Sequence, residues 1–313
     1  MTKKQSNILN IILKLIAVLM FAAACVLFPV SFLNIEDYLA WALVRVVFSG
    51  LGIVLLVVFG FSSYLKFKTT NKYCEITGAV NNLLQVDTDK SNLDTKKKEG
   101  GKLPPLQIIL VIVVVMLVSI FNFPFASLIT GQAALSATAG EVFVFLFFNS
   151  AVAVFEEVFF RGLVLLLLFE LFQTIFSAHN AQCITHNESK SILKNNSNSR
   201  YALCVMRYAL PILISAVLFS LFHLFNLDLM QLGYTLLLGL IWGYLVFVTK
   251  TVWWAVIAHF VFNLGGSLIT MLGSGIFFTN TQIIITAIIG VFCGVVLIVI
   301  ESKRLKKLKP KKQ

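Results

Sequence analysis

Long apolar runs separated by short polar segments constrain this chain more than any other feature. About 20 apolar residues suffice to cross the hydrocarbon core of a bilayer as a helix. Eight runs meet that length approximately: 8–33, 39–61, 104–122, 142–173, 208–225, 232–249, 252–270 and 282–300. Of the 313 residues, 58% are apolar and only 12% are charged, a composition too apolar for the surface of a soluble enzyme. Because lipid cannot satisfy loose backbone groups, we predict an all-α, polytopic membrane protein with about eight transmembrane helices.

Basic residues predict which side of the membrane each loop faces. All but three of the 25 Lys and Arg residues lie in the N-terminal tail, in segments 62–103 and 174–207, at Lys250, or after residue 300. The intervening loops 34–38, 123–141, 226–231 and 271–281 carry none. Cytoplasmic loops are enriched in Lys and Arg, so both termini are predicted to be cytoplasmic. The net charge of +11 then reflects loops held against an anionic leaflet, and no nucleic-acid partner is expected.

The chain divides into three predicted parts. Residues 1–140 hold the N-terminal transmembrane helices, whose first run we interpret as a retained helix rather than a signal peptide, and the cytoplasmic loop 62–103. Residues 141–270 hold the polar residues described next, and residues 271–313 hold the last transmembrane helix and a basic cytoplasmic tail. The polar segments 85–102 and 186–199 are predicted to be unordered.

Span four carries two adjacent carboxylates and an arginine inside an apolar helix. Glu157 and Arg161 are four residues apart, share a face, and are predicted to form an ion pair. Glu156 points about 100° away and has no local partner. Ionisable residues in lipid are costly and usually functional, although a purely structural charge cluster that joins helices is the alternative.

Two further spans contribute imidazoles. His223 lies near the end of span five, and His259 lies four residues before Asn263 on one face of span seven. Together with Glu156, these groups can take, give and stabilise a proton, which hydrolysis by water requires. The rise per residue places Glu156 and His259 in the inner part of the membrane and His223 nearer the outer side. A large separation between His223 and Glu156 would remove His223 from the site.

The pattern formed by Glu156-Glu157-x-x-x-Arg161, Phe219-x-x-x-His223 and His259-x-x-x-Asn263 resembles the CAAX protease and bacteriocin-processing family of intramembrane proteases. The resemblance covers about residues 141–270. It implies that Glu156 is a general base that activates water and that His223 helps to position that water. It also implies that His259 and Asn263 stabilise the oxyanion, with Glu157 and Arg161 as a supporting pair.

The sequence is compatible with a site that binds a metal and with one that does not. Glu156, His223 and His259 could bind zinc and leave one position for water, but the helical HExxH signature is absent. The same residues could also act as a glutamate and two histidines without a metal.

Three functions are compatible with the sequence. The first is a membrane endopeptidase that cuts a membrane-associated peptide or protein. The second is a scaffold or bacteriocin self-immunity protein of the same family, and the third is a proton-coupled transporter, although no internal repeat supports it. Substrates could be a prenylated CAAX terminus, a bacteriocin leader or a membrane-bound regulator. Residue usage suggests an AT-rich bacterial genome. We therefore expect the protein to lie in a bacterial plasma membrane, in contact with membrane lipid.

Overall fold

The fold is known from a computed structural model. It describes residues 3–30, 37–66, 105–120, 123–125, 129, 134–135, 137–185, 197–224, 229–274, 288–289, 291–297 and 299–300. The segments 67–103 and 186–196, most of the loop 123–136 and the tail after residue 300 lie outside this description. The predicted unordered segment 85–102 and residues 186–196 of the predicted unordered segment 186–199 lie outside it, whereas residues 197–199 are helical and that part of the prediction is wrong.

The described chain is built from helices. We name the α-helices in chain order: α1 Lys3–Val30, α2 Tyr38–Val58, α3 Pro105–Ile120, α4 Ala139–Glu157, α5 Leu165–Thr185, α6 Ser197–Leu221, α7 Leu229–Thr249 and α8 Trp253–Leu272. A 3-10 turn, Ser62–Leu65, follows α2, and a π-helix, Val158–Val164, joins α4 to α5. Residues 288–289, 291–297 and 299–300 are also helical.

One short strand pair is the exception to the predicted all-α fold. Strand β1, Ala134–Leu135, pairs antiparallel with strand β2, Gly273–Ser274. The helical prediction is otherwise confirmed for the residues that the structure describes.

Among the residues that the structure describes, three helices are long and apolar enough to cross a membrane by themselves: Gln5–Cys25, Tyr38–Val58 and Gln231–Thr249. Shorter apolar helices are Ile108–Ile120, Met206–Leu221 and Trp253–Leu268. With the exposed apolar side chains on α1 and α2, they indicate a membrane protein. The number of eight spans and the cytoplasmic termini remain predictions.

Span four is much longer than predicted. The run predicted at 142–173 is one continuous helical rod from Ala139 to Thr185, formed by α4, the π-helix and α5. A capping box begins the rod, in which the Thr138 hydroxyl accepts from the N–H of Glu141, and the Glu141 carboxylate accepts from the N–H of Thr138. The N–H and the hydroxyl of Thr138 both donate to the Glu141 carboxylate, which lowers the pKa of Glu141. The rod is buried from Phe155 to Phe169 apart from Glu156, so it forms the core around which the other helices pack.

Span five begins earlier than predicted. Helix α6 starts at Ser197 rather than near residue 208, and Pro211 lies inside the helix rather than near its start. The predicted cytoplasmic segment 174–207 is therefore helical over residues 174–185 and 197–207. Helix α6 thus begins 11 residues earlier than predicted. It ends at Leu221, before the predicted end of span five at residue 225.

A close approach of the two backbones fixes α6 against α7. A Cβ at Gly239 of α7 would lie 2.9 Å from the Cα of Ala216 in α6. The Ser220 hydroxyl at the end of α6 donates to the carbonyl of Leu232 in α7 at 2.8 Å. Glycine is required at position 239 because no side chain fits between these helices, and the end of α6 is thereby held in place.

Candidate active site

The two glutamates lie where the rod changes from α to π geometry. Helix α4 ends at Glu157, and the π-helix follows directly. The carbonyl of Phe160 accepts from the N–H of Leu165, five residues later, and from the Ser215 hydroxyl of α6 at 2.9 Å. Short π segments inside α-helices recur at functional sites. Here the π segment has a second donor from a neighbouring helix that stabilises it.

Glu157 is fully buried and joins two helices. Its Oε1 lies 3.0 Å from Nη1 of Arg161 and 2.8 Å from Nδ1 of His259. The Glu157–Arg161 ion pair expected from the sequence is therefore present, and the contact with α8 adds to it. The Arg161 guanidinium also lies 4.0 Å from the ring centroid of Phe219, where a cation is attracted to the aromatic face. The Glu157 carboxylate and the aromatic face of Phe219 thus stabilise the charge of the buried Arg161 in place of water.

Glu156 faces both predicted imidazoles. Its Oε2 lies 3.8 Å from Nε2 of His223 and 3.8 Å from Nε2 of His259. Both distances exceed a direct hydrogen bond, and Oε2 is buried without a hydrogen-bond partner among the described residues. Three side chains from three separate helical segments thus converge on one point.

Hydrogen bonds on the far side of each ring determine which nitrogen faces Glu156. Nδ1 of His223 lies 2.9 Å from the backbone carbonyl of Phe219, which can only accept, so Nδ1 carries a proton. Nδ1 of His259 donates in the same way to the Glu157 carboxylate. In each neutral ring, Nε2 is consequently the unprotonated nitrogen. Glu156 Oε2 and the two Nε2 atoms then form a set of three acceptors, which suits a molecule that donates two hydrogen bonds.

Asn263 lies beside this point, in a pocket that His223 and His259 also line. The cavity has a volume of about 70 Å³. Its lining residues are Phe219, His223, Gln231, Tyr234, Thr235, Leu238, Trp242, His259, Phe262 and Asn263. Both polar side chains and aromatic rings line the pocket, and Glu156 is not among its lining residues.

Polar contacts tie the Asn263 turn of α8 to α4. The Ser267 hydroxyl lies 2.7 Å from the carbonyl of Asn263 and 2.8 Å from Oδ1 of Asn149. The Asn149 amide in turn donates to the carbonyl of Phe145 at 2.8 Å. Asn149 is buried, so this contact between α4 and α8 lies within the helix packing, about two turns before Glu156.

All six residues predicted for the site lie in one region. The sequence placed His223 nearer the outer side of the membrane than Glu156, which would have removed it from the site. In the structure, α6 starts early and ends at Leu221. His223 follows in a turn, where its N–H donates to the carbonyl of Ser220. His223 is therefore not near the outer end of a full-length span, as the sequence suggested, but beside Glu156. Glu170, also in span four, is exposed and does not join the site.

Sequence reasoning missed Trp242 and gave Phe219 no role beyond its place in the Phe219-x-x-x-His223 pattern. Trp242 of α7 stacks on the ring of His259, with centroids 4.4 Å apart and an interplanar angle of 22°. Phe219 contacts the rings of both His223 and His259. In a chain with 29 Phe and four Trp residues, an aromatic residue in an apolar run carries no signal of its own.

The donor set does not fit a preformed zinc site. Two ligands on a tetrahedral zinc with bonds of about 2.0–2.1 Å lie roughly 3.3–3.4 Å apart, whereas Oε2 of Glu156 is 3.8 Å from each imidazole nitrogen. Within the described residues, no group of three or more His, Cys, Asp or Glu side chains could hold a metal ion. The mechanism proposed for this site therefore uses side chains and water.

A family comparison agrees with this geometry. The family model described as "Rce1-like: Type II CAAX prenyl endopeptidase Rce1-like" matches residues 138–265. Residues 138–265 are therefore similar to the Rce1-like family. The Rce1-like segment starts at the capping threonine of α4, ends two residues after Asn263, and includes all six predicted site residues. It covers less than half of the chain and excludes α1, α2 and α3. A comparison with curated proteins and with solved structures finds no match.

The family match confirms the resemblance found in the sequence at the level of a CAAX-type intramembrane protease family. It supports hydrolysis as the general activity and a membrane-associated peptide as the general kind of substrate.

Proposed function

We propose that the protein is an intramembrane endopeptidase in which Glu156 activates a water molecule for attack on a peptide carbonyl. The observation that carries this proposal is the position of Glu156 Oε2, equally distant from Nε2 of His223 and Nε2 of His259. A water molecule that donates one hydrogen bond to Glu156 and one to His223 is oriented with its lone pairs toward the pocket.

The chemical step balances with these groups alone. Glu156 takes one proton from water while the water oxygen bonds to the carbonyl carbon, and the carbonyl π electrons move to its oxygen. The tetrahedral intermediate then collapses as the C–N bond breaks, and the proton held by Glu156 passes to the leaving nitrogen. One carboxylate thus serves as base and then as acid.

His259 and Asn263 are placed to stabilise the oxyanion. Asn263 has amide N–H donors, but Nε2 of His259 can donate only when both ring nitrogens carry protons. Glu157, at 2.8 Å from Nδ1, is placed to balance the charge of that imidazolium, and the face of Trp242 lies against the ring. In this proposal Glu157 and Arg161 support the chemistry through His259 without contacting the substrate.

The substrate class follows from where these residues lie. Apolar helices surround the site, so the peptide bond belongs to a membrane-associated peptide or protein, and the protein acts in a bacterial plasma membrane. The Rce1-like description names a prenyl endopeptidase, and a prenylated terminus is one candidate beside a bacteriocin leader or a membrane-bound regulator.

The decisive experiment compares the wild type with Glu156→Gln. We expect membrane peptides released by the wild type to be absent from cells that carry the variant, as measured by mass spectrometry of the membrane peptidome. Losing a general base typically lowers the rate by about 10²–10⁴-fold. Glu170→Gln is the matched control, because Glu170 is a glutamate of the same rod that is exposed and outside the site.

Other outcomes identify the alternatives. Cleavage that persists in a folded, membrane-inserted Glu156→Gln protein would overturn the hydrolytic proposal. Retained self-immunity without any cleavage would favour the scaffold or immunity function, and retained proton-coupled uptake without cleavage would favour a transporter.

A further inference from the structure

Two polar cross-links join α4 to α8, one on either side of Asn263. One is the contact of Glu157 Oε1 with Nδ1 of His259 at 2.8 Å. The other is the hydrogen bond from the Ser267 hydroxyl to Oδ1 of Asn149, also at 2.8 Å. In each helix the two cross-linked residues are eight positions apart, with Asn263 midway between those of α8. The helices therefore run antiparallel, and hydrogen bonds fix how far each has advanced along the other at two levels.

The hydrogen bonds of Asn149 fix the orientation of its amide. Its Nδ2 donates at 2.8 Å to the carbonyl of Phe145, one turn earlier in α4. A carbonyl can only accept, so the nitrogen lies at that end and Oδ1 is the atom that faces Ser267. The Asn149 residue is only 2% exposed, and a buried amide without partners is costly. Asn149 is thus held by its own helix and presents one acceptor to α8.

The Ser267 hydroxyl connects this acceptor to the turn of α8 that carries Asn263. Its oxygen lies 2.7 Å from the carbonyl of Asn263, four positions earlier. A serine hydroxyl has one proton, which is shared here between that carbonyl and Oδ1 of Asn149. The Asn263 turn is therefore tied through one side chain to a fixed point in α4.

Asn149 lies on the same helix as the base of the proposed mechanism. It precedes Glu156 by seven residues, which is about two turns and roughly 10 Å along an α-helix, so the two side chains project from the same face. The separation of the base from an oxyanion donor on α8 consequently depends on how α4 and α8 are placed along one another. A displacement of about 1 Å at a catalytic group can lower a rate by about 10²-fold, so the second cross-link has a direct bearing on the chemistry.

We propose that Asn149 and Ser267 are positioning residues that hold the amide of Asn263 at the place where the oxyanion forms. This rests on the proposed function, in which Asn263 stabilises that oxyanion. Neither residue contacts the substrate in this proposal, and both act through Asn263. Ser267 lies outside the segment 138–265 that matches the family model, so the match itself does not supply this cross-link.

The test compares Ser267→Thr with Ser267→Val, using a membrane peptide identified by the peptidome comparison. Threonine and valine have nearly the same shape, and only threonine keeps the hydroxyl. Ser267→Val should lower kcat about tenfold and change KM less than about twofold, because the oxyanion forms only in the transition state. Ser267→Thr should keep kcat within about threefold of the wild type. Asn149→Leu removes the acceptor at similar size and should lower kcat as Ser267→Val does.

A double-mutant cycle with Asn263 distinguishes positioning from a general effect on the fold. Asn263→Ala alone should lower kcat about 10²-fold, the lower end for the loss of one oxyanion donor. Adding Ser267→Val to Asn263→Ala should then lower kcat about twofold at most, because the residue through which Ser267 acts is gone. Ser150→Ala is the matched control. The Ser150 hydroxyl donates at 2.7 Å to the carbonyl of Leu146 in its own helix, and its loss should leave kcat unchanged.

Four outcomes would overturn or narrow the proposal. A tenfold loss from Ser267→Val in both backgrounds would assign the cross-link a purely structural role, and a wild-type kcat in a folded Ser267→Val protein would assign it none. Asn149→Leu carries the same cycle if Ser267→Val does not insert into the membrane. If Glu156→Gln is inactive while Ser267→Val keeps the wild-type kcat, only the role of the cross-link fails. If Glu156→Gln still cleaves, the proposed function fails as well.

Discussion

The buried pair of Glu157 and Arg161 allows a prediction in which stability and activity respond differently. Both side chains are at most 1% exposed, and Glu157 Oε1 is 3.0 Å from Arg161 Nη1. Replacing Glu157 by Gln keeps the size of the side chain but leaves a buried guanidinium without its carboxylate. Breaking a buried ion pair from one side costs about 3–5 kcal/mol. We expect about 3 kcal/mol, because Arg161 keeps its contact with the Phe219 ring.

The double variant Glu157→Gln, Arg161→Gln removes both charges. Its free energy of unfolding should lie closer to that of the wild type than the sum of the two single effects predicts. The coupling energy should be about 2 kcal/mol, within the range for residues in direct contact. Unfolding by heat or SDS in mixed micelles, followed by circular dichroism, measures all four proteins of the cycle.

Activity should not recover with stability. The carboxylate that accepts from Nδ1 of His259 is missing in both Glu157→Gln and the double variant. We expect each to stay at least about tenfold below the wild type, a loss of about 1.4 kcal/mol in transition-state stabilisation. Additive stability effects would show that the two charges are not coupled. A double variant as active as the wild type would refute the idea that Glu157 acts through His259.

Three further predictions concern the surroundings of the site. Trp242→Phe should keep most of the activity, whereas Trp242→Leu should lose more, because only an aromatic ring can stack on His259 at 4.4 Å; steady-state kinetics on both variants checks this. Gly239→Val should cost about 1–3 kcal/mol in thermal unfolding, since even its Cβ would lie 2.9 Å from the Ala216 backbone. Treatment with a strong zinc chelator should leave peptide cleavage unchanged, because Glu156 and the imidazoles are too far apart for a shared zinc; loss of activity that zinc alone restores would contradict this geometry.

The helical architecture was predictable because the apolar runs are long and few other structures satisfy a backbone in lipid. The residues at which helices begin and end were harder to predict from the sequence. Hydropathy marks where a segment is apolar, but α6 begins in the polar sequence around Ser197 and continues through Pro211. The error mattered because the predicted span 208–225 placed His223 at the wrong depth.

The residues of the site were accessible because ionisable groups stand out in apolar helices. Glu156, Glu157 and Arg161 are visible in this way, and their spacing predicts which two pair. The side-chain partners across helices were not accessible. No spacing rule connects Glu157 to His259, 102 residues later.

The distribution of charge over the helices links assembly to activity. The rod contributes Glu156, Glu157 and Arg161, and α8 contributes His259, which contacts Glu157 directly. Each of these groups would be costly in a helix surrounded by lipid, and each contact formed on packing reduces that cost.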